Sequence, residues 1–143
     1  THATSDMYWA VERLGEERIK HAYAYKELLK QFGMLALGSD FPVEHFNPLY
    51  GFHAAVARVD NSGFPQGGFQ MENALTREEA LRGMTIWAAY SCFQEKKRGS
   101  IERGKDADFV ILDADIMLEK LENIRTTKTL RTVIGGETVY QRI

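Results

Sequence analysis

The chain has 143 residues, 44% of them apolar, enough for one ordinary domain with a real core. A formal net charge of −2 and a pI near 6.1 supply no basic field for nucleic acid. No run of 18 apolar residues and no charged-then-apolar leader occurs, so neither a helical membrane span nor a secretory signal is read.

A lone Cys92 excludes an internal disulfide and fits a reducing, cytoplasmic compartment. The chain opens on Thr1-His2-Ala3-Thr4 without an initiator Met, which reads as a processed or truncated product. Ser5 or Asp6 is placed to cap a short helix running to about Leu14, with Gly15 as its stop. From Glu16 to Gln31, residues Ile19, Ala22, Tyr23, Leu28 and Leu29 recur at helical spacing, and Gly33 ends the predicted helix. Met34-Leu35-Ala36-Leu37 is an apolar run too short for a helix. It reads as a strand buried on both faces, as in parallel sheets, and Pro42 closes it.

Asn47-Pro48 supplies an N-cap and a proline at the first helical position, opening a helix towards Arg58. Residues 60 to 73 are rich in glycine and lack an apolar period, so a mobile loop is expected, positioned to lie over a site. Thr76-Arg77-Glu78-Glu79 is a capping box, followed by a stripe of Ala80, Leu81, Met84, Trp87 and Ala88. Lys96-Lys97-Arg98 before Gly99 marks a boundary, and as plain chemistry is a helix end favoured by the dipole. Beyond it, Phe109-Val110-Ile111-Leu112 reads as a strand. Thr132-Val133-Ile134 and Thr138-Val139-Tyr140 flank Gly135-Gly136 as a hairpin.

The strand-like run ends at Gly38-Ser39 and delivers Asp40 to its carboxyl end, where barrels and open α/β sheets place their chemistry. Asp40 is therefore the residue expected to touch a reacting centre; a strand-end aspartate capping the next turn is the structural alternative. His2 just precedes the first helix and His45 lies in the loop five residues past Asp40. Each is a candidate substrate contact or an ordinary surface histidine. His53 reads as a packed histidine, His21 has no role, and Glu44 is a loop carboxylate with substrate binding open to it. Tyr8, Trp9, Tyr23, Tyr25, Trp87, Tyr90 and Phe93 fit packing, whereas Phe64 and Phe69 in the Gly-rich loop either close on an apolar ligand or dock on the body of the protein.

Several segments together resemble one family: Gly38-Ser39-Asp40-Phe41-Pro42-Val43, Asn47-Pro48-Leu49, His53-Ala54-Ala55-Val56, Leu75-Thr76-Arg77-Glu78-Glu79-Ala80-Leu81 and Trp87-Ala88-Ala89-Tyr90. Gly99-Ser100-Ile101-Glu102-Arg103-Gly104-Lys105-Asp106-Ala107-Asp108-Phe109-Val110 completes the set. The chain is similar to family 3 amidohydrolases, the branch of the amidohydrolase superfamily that includes deformylases of N-substituted formamides and proteins labelled exoenzyme regulatory.

That resemblance implies an α/β chain: residues 1–98 as the last βα units of a metal-dependent (β/α)8 TIM barrel, and 99–143 as strands of a small composite β-sandwich. It further implies hydrolysis of a C–N bond in a small amide or formamide by water activated on a divalent metal, zinc. Asp40 matches both the last metal ligand and the proton shuttle, with His2 and His45 near the substrate.

The family's His-x-His, its mid-barrel carboxylated Lys or Glu and its two further histidines have no counterpart here. The expectation is therefore the C-terminal third of a larger enzyme, inactive alone, with no nucleic-acid or membrane partner. An ordered piece of this kind is expected to associate with a copy of itself or exchange strands, since a third of a barrel exposes sheet edges. The alternative is a regulatory or binding protein that keeps the amidohydrolase fold without its chemistry.

Overall fold

Six α-helices and one three-stranded antiparallel sheet make up the chain, as described by a computed structural model of residues 1–143. Helix α1 spans His2–Ile19, α2 Tyr25–Phe32, α3 Pro48–Ala57, α4 Arg77–Met84, α5 Ile86–Ser91 and α6 Leu121–Ile124. Strands β1 (Phe109–Leu112), β2 (Thr129–Ile134) and β3 (Glu137–Gln141) pair in the order β1-β2-β3. No helix is long and apolar enough to cross a membrane.

Helix α1 begins earlier than its capping residues suggest, with Thr1 rather than Ser5 or Asp6 at the N-cap. The Ser5 hydroxyl instead donates to Glu44 Oε1 at 2.5 Å, and Asp6 accepts from the Tyr23 hydroxyl at 2.9 Å. Gly15 breaks the helical geometry at φ 76°, ψ 164°, as its lack of a Cβ permits. The helix expected over 16–31 is two helices, divided at 20–24. There Gln70 Nε2 donates to the Ile19 carbonyl at 2.6 Å and Arg58 Nη1 to the Tyr23 carbonyl at 3.3 Å. Side chains from distant loops occupy acceptors that a continuous helix would have turned to its own amides.

The local signals downstream hold. Gly33 closes α2 in the left-handed conformation (φ 82°). The Asn47 side chain accepts the Leu49 N–H at 3.0 Å, with Pro48 at the first helical position of α3. At α4 both halves of the capping box form: the Glu79 N–H donates to Thr76 Oγ1 (3.2 Å) and the Thr76 N–H donates to Glu79 Oε2 (2.8 Å). The Lys26 ammonium also pairs with Glu79, tying α2 to α4.

The run Met34–Gly38 is not a strand. Its one backbone amide bond to another element goes from the Leu37 N–H to the Gly83 carbonyl of α4 at 2.9 Å. Leu35 and Leu37 pack against the core while Ala36 and Gly38 are exposed, so the run is covered on one side rather than both. A parallel strand needs a neighbour for its ladder, and every strand of this chain lies in the C-terminal antiparallel sheet. Gly83 permits the approach: a Cβ there would meet Leu37 Cγ at 2.7 Å and the Leu35 carbonyl at 3.1 Å.

Leu29 of α2, Leu49, Phe52 and Ala55 of α3, Leu75 and Ala80 form one buried cluster, to which Ile116 and Ile124 contribute from the C-terminal part. Arg77, from the first turn of α4, donates to the carbonyls of Ile116 and Glu119 and holds that segment in place. β2 and β3 meet through Gly135 and Gly136, both at positive φ (58° and 85°), the geometry that a two-residue hairpin with the sheet's twist requires.

The core is small for the chain. Only 21 of 143 residues are buried, and the accessible surface is 9441 Å². A compact monomer of 16.3 kDa is expected to expose about 7,500 Å². The surplus is largely apolar: Phe32, Phe41, Phe46, Phe93, Ile101 and Leu118 are each more than half exposed.

Residues 60–73 are expected as a mobile loop over a site; instead Asp60 and Phe64 fasten its first part to the side of α1, and Met71–Asn73 form a 3-10 helix. Asp60 accepts hydrogen bonds from the Tyr8 hydroxyl, the Ser62 N–H (2.7 Å), the Ser62 hydroxyl (2.8 Å) and the Phe64 N–H (2.9 Å), and the Phe64 ring stacks on Tyr8 at 5.8 Å. Burial acts to raise the Asp60 pKa, but these donors outweigh it and hold the carboxyl well below the usual range. A carboxyl with a lower pKa folded than unfolded lends stability above its unfolded pKa of about 4, and this is lost as pH falls through the folded value. Tyr8→Phe removes one donor and is expected to move the acid-unfolding midpoint to higher pH. Near-UV circular dichroism on acid titration reads this directly, and an unmoved midpoint would show that the Tyr8 bond adds nothing.

Candidate functional site

Five pieces of chain surround a cleft of about 300 Å³: the start of α1, Tyr25 at the start of α2, the run 35–39, residues 46–55 leading into and along α3, and Met84 at the end of α4. His2, Tyr25, Leu37, Ser39, Asn47 and Phe52 all face it. Its apolar lining, Leu35, Leu37, Phe52, Ala55 and Met84, belongs to or packs on the core, and Thr1, His2, Ser39 and Asn47 add polar groups.

Asp40 directly follows the cleft-lining Ser39 and is not itself among the residues that line the cleft. It is exposed, it sits at φ 50°, a left-handed conformation that aspartate tolerates better than most residues, and its carboxylate makes no hydrogen bond or ion pair within the chain. The capping alternative does not describe it, because the turn that follows uses backbone groups: the Val43 N–H donates to the Asp40 carbonyl (2.9 Å) and the Glu44 N–H to the Ser39 carbonyl (3.2 Å).

His2 lines the cleft. His45 does not; its ring is stacked between Phe46 (centroids 4.4 Å apart) and Tyr50 (4.6 Å), and its Nδ1 accepts the Asn47 N–H at 3.0 Å. Glu44 is engaged with Ser5. His53 is buried in α3, where burial first and the Arg125 charge second push its pKa down. Phe64 lies against Tyr8, and Phe69 packs edge-on to Tyr23, so both aromatic rings of the Gly-rich loop dock on the body of the protein.

Two residues gain a place that sequence reading did not assign. Tyr25, read as packing, faces the cleft, and burial raises its pKa while the Arg58 charge opposes. Arg58, read as a helix end, is wholly buried behind it, with its guanidinium 5.5 Å from the Tyr25 ring and 5.7 Å from that of Phe69. Its donors are met by the carbonyls of Phe69 (2.8 Å) and Tyr23 (3.3 Å) and by Gln70 Oε1 (3.1 Å). These partners lie up to 35 residues away, so no local pattern announces the burial.

No three His, Cys, Asp or Glu side chains converge anywhere in the chain. Protein zinc sites take three or four ligands, so Asp40 with no second ligand beside it does not make a metal centre from these residues alone.

The class these features define is an α/β chain with a small antiparallel sheet and a mostly apolar cleft, next to which Asp40 follows Ser39. The chain belongs to the amidohydrolase family, whose model (Amidohydro_3) matches residues 1–140. It is 36% identical over 138 residues to YtcJ of Bacillus subtilis, covering 96% of this chain and 26% of that protein. It is 32% identical over 127 residues to the N-substituted formamide deformylase of Arthrobacter pascens, covering 89% of this chain and 23% of the relative. The crystal structure of an amidohydrolase from Thermotoga maritima MSB8 superimposes with a TM-score of 0.57 at 25% identity, over 84% of this chain and 26% of that one. The chain thus spans about a quarter of the length of the relatives it matches.

Proposed function

We propose that this chain is the C-terminal part of a metal-dependent amidohydrolase that hydrolyses the C–N bond of a small amide or formamide. In this reading residues 1–98 complete a (β/α)8 barrel, with Met34–Gly38 as its last strand once neighbouring strands are present, and 99–143 supply strands of a small β-sandwich. The surplus of apolar surface supports it, because faces so exposed call for further polypeptide to cover them.

Asp40 carries the chemistry assigned to this chain. Hydrolysis of a C–N bond needs a base that takes a proton from water and an acid that returns one to the departing nitrogen, and one carboxylate, next in sequence to the cleft-lining Ser39, serves both in turn. His2 faces the substrate; His45, in the same loop as Asp40, acts on the position of that carboxylate. The divalent metal, zinc, is held by Asp40 together with ligands from outside this chain, so residues 1–143 alone do not turn over.

The observation that carries the proposal is the unpaired Asp40 beside the cleft-lining Ser39 in a chain of this family. The test is turnover of N-substituted formamides and simple amides by the full-length protein, before and after a chelator. Turnover that a chelator abolishes and zinc restores is the expected result. Turnover indifferent to chelation would remove the metal, and a folded full-length protein that cleaves no C–N bond would favour a non-catalytic binding role.

A further inference from the structure

Between Gly38 and Asn47 the chain has no helix or strand, and Asp40 sits in it at a positive φ, so something else must hold the carboxylate still. Two anchors do so. Glu44 accepts from Ser5 of α1. Beside it a column of flat groups runs across the surface. Phe41 meets Phe46 edge-on (5.9 Å, 85°), Phe46 stacks on His45 (4.4 Å, 23°) and His45 stacks on Tyr50 of α3 (4.6 Å, 27°). The guanidinium of Arg125 then lies 5.7 Å over the Tyr50 ring.

Arg125 follows α6 in the C-terminal part and is itself fastened, donating to the Asn61 side chain and, at 2.6 Å, to the Asn61 carbonyl. The orientation of the His45 ring is fixed as well, because its Nδ1 accepts the N–H of Asn47, the residue that caps α3. The column therefore joins the C-terminal segment to the loop bearing Asp40 and to the first turn of α3, which directly follows that loop.

We propose that Arg125, Tyr50 and His45 are positioning residues, through which the C-terminal segment sets the placement of the Asp40 carboxylate. The proposal rests on the reading of Asp40 as the reacting carboxylate and says what keeps it in register. Flat rings in contact resist sliding and tilting, and a reacting group displaced by about 1 Å forfeits much of its rate. Such a role predicts a loss in the chemical step, not in substrate capture, and it depends on the ring of Tyr50 rather than on its hydroxyl.

The experiment compares Tyr50→Leu, Tyr50→Phe and Arg125→Ala in the full-length protein, reading kcat, KM, thermal stability and hydrogen–deuterium exchange across residues 40–47. Tyr50→Leu is expected to lower kcat by roughly ten- to hundredfold with KM within about twofold, and to speed exchange in 40–47. Exchange in β1–β3 stays as in the parent protein. Arg125→Ala shifts both in the same direction by less, and Tyr50→Phe restores both. Equal kcat for the Leu and Phe variants, or unchanged exchange in 40–47 for Tyr50→Leu, overturns the proposal. Exchange needs no turnover, so it decides the column even if the protein cleaves no C–N bond, an outcome that would defeat the amidohydrolase reading separately.

Discussion

Asp40→Asn in the full-length protein is expected to lower turnover by roughly 10²–10⁴-fold, the range that a positioned general base supplies. The substitution exchanges a carboxylate for an amide of the same shape, so it removes proton acceptance and weakens the metal ligand assigned to this position without changing the size of the side chain. Asparagine also tolerates the left-handed backbone that residue 40 adopts (φ 50°), where alanine or valine would add strain of their own. Because the Asp40 carboxylate makes no hydrogen bond or ion pair within the chain, nothing in the fold of this chain depends on its charge. The variant should therefore melt within about 0.5 kcal/mol of the parent, as surface substitutions do. Steady-state kinetics beside a melting curve separates the two effects, and turnover near the parent level removes Asp40 from the mechanism.

The largest effect on stability is expected at Gly99, where the chain leaves α5 for the C-terminal part. Gly99 sits at φ 92°, and a Cβ added there would lie 2.7 Å from the Ala89 Cβ, 2.9 Å from the Ile86 Cα and 3.2 Å from the Thr85 carbonyl. Two of those three atoms are backbone, so the clash is not relieved by turning a side chain. Gly99→Ala adds the strain of a non-glycine residue at positive φ to that of overpacking, about 2–4 kcal/mol together. Gly104 provides the control: its φ is 96°, but nothing lies within 4 Å of its would-be Cβ. Gly104→Ala should therefore lose only the conformational part, on the order of 1–2 kcal/mol. Denaturant melts of the two variants measure the difference, and equal losses would show that the contact on α5 costs nothing.

The legible parts of this chain share a physical trait. Asn47 and Pro48 at the start of α3, Thr76 and Glu79 at the start of α4, Gly33 after α2 and the Gly135–Gly136 turn all act on partners within about four residues. Such bonds form from the local chain whatever surrounds it. The family resemblance was legible for a related reason, since several of its motifs, Asn47-Pro48-Leu49 and Thr76-Arg77-Glu78-Glu79 among them, lie at these same caps.

The candidate site divides in the same way. That Asp40 follows a short apolar run, and that His45 lies five residues beyond it, is written in the order of residues. Tertiary structure alone decided that His2 faces the cleft while His45 is held in a column of rings, and that Asp40 has no partner in the chain. Tertiary structure alone also decided that the helix expected over 16–31 divides at 20–24, where Arg58 and Gln70 claim the carbonyls of Tyr23 and Ile19 from 35 and 51 residues away. The run at 34–38 makes the same point from the other side. Its hydrophobicity asks for burial on two faces, but a ladder needs a neighbouring strand, and this chain provides only α4 through Gly83. Local hydrogen bonds and steric preferences are properties of a few adjacent residues; burial, stacking and strand pairing belong to whichever segments the fold brings together.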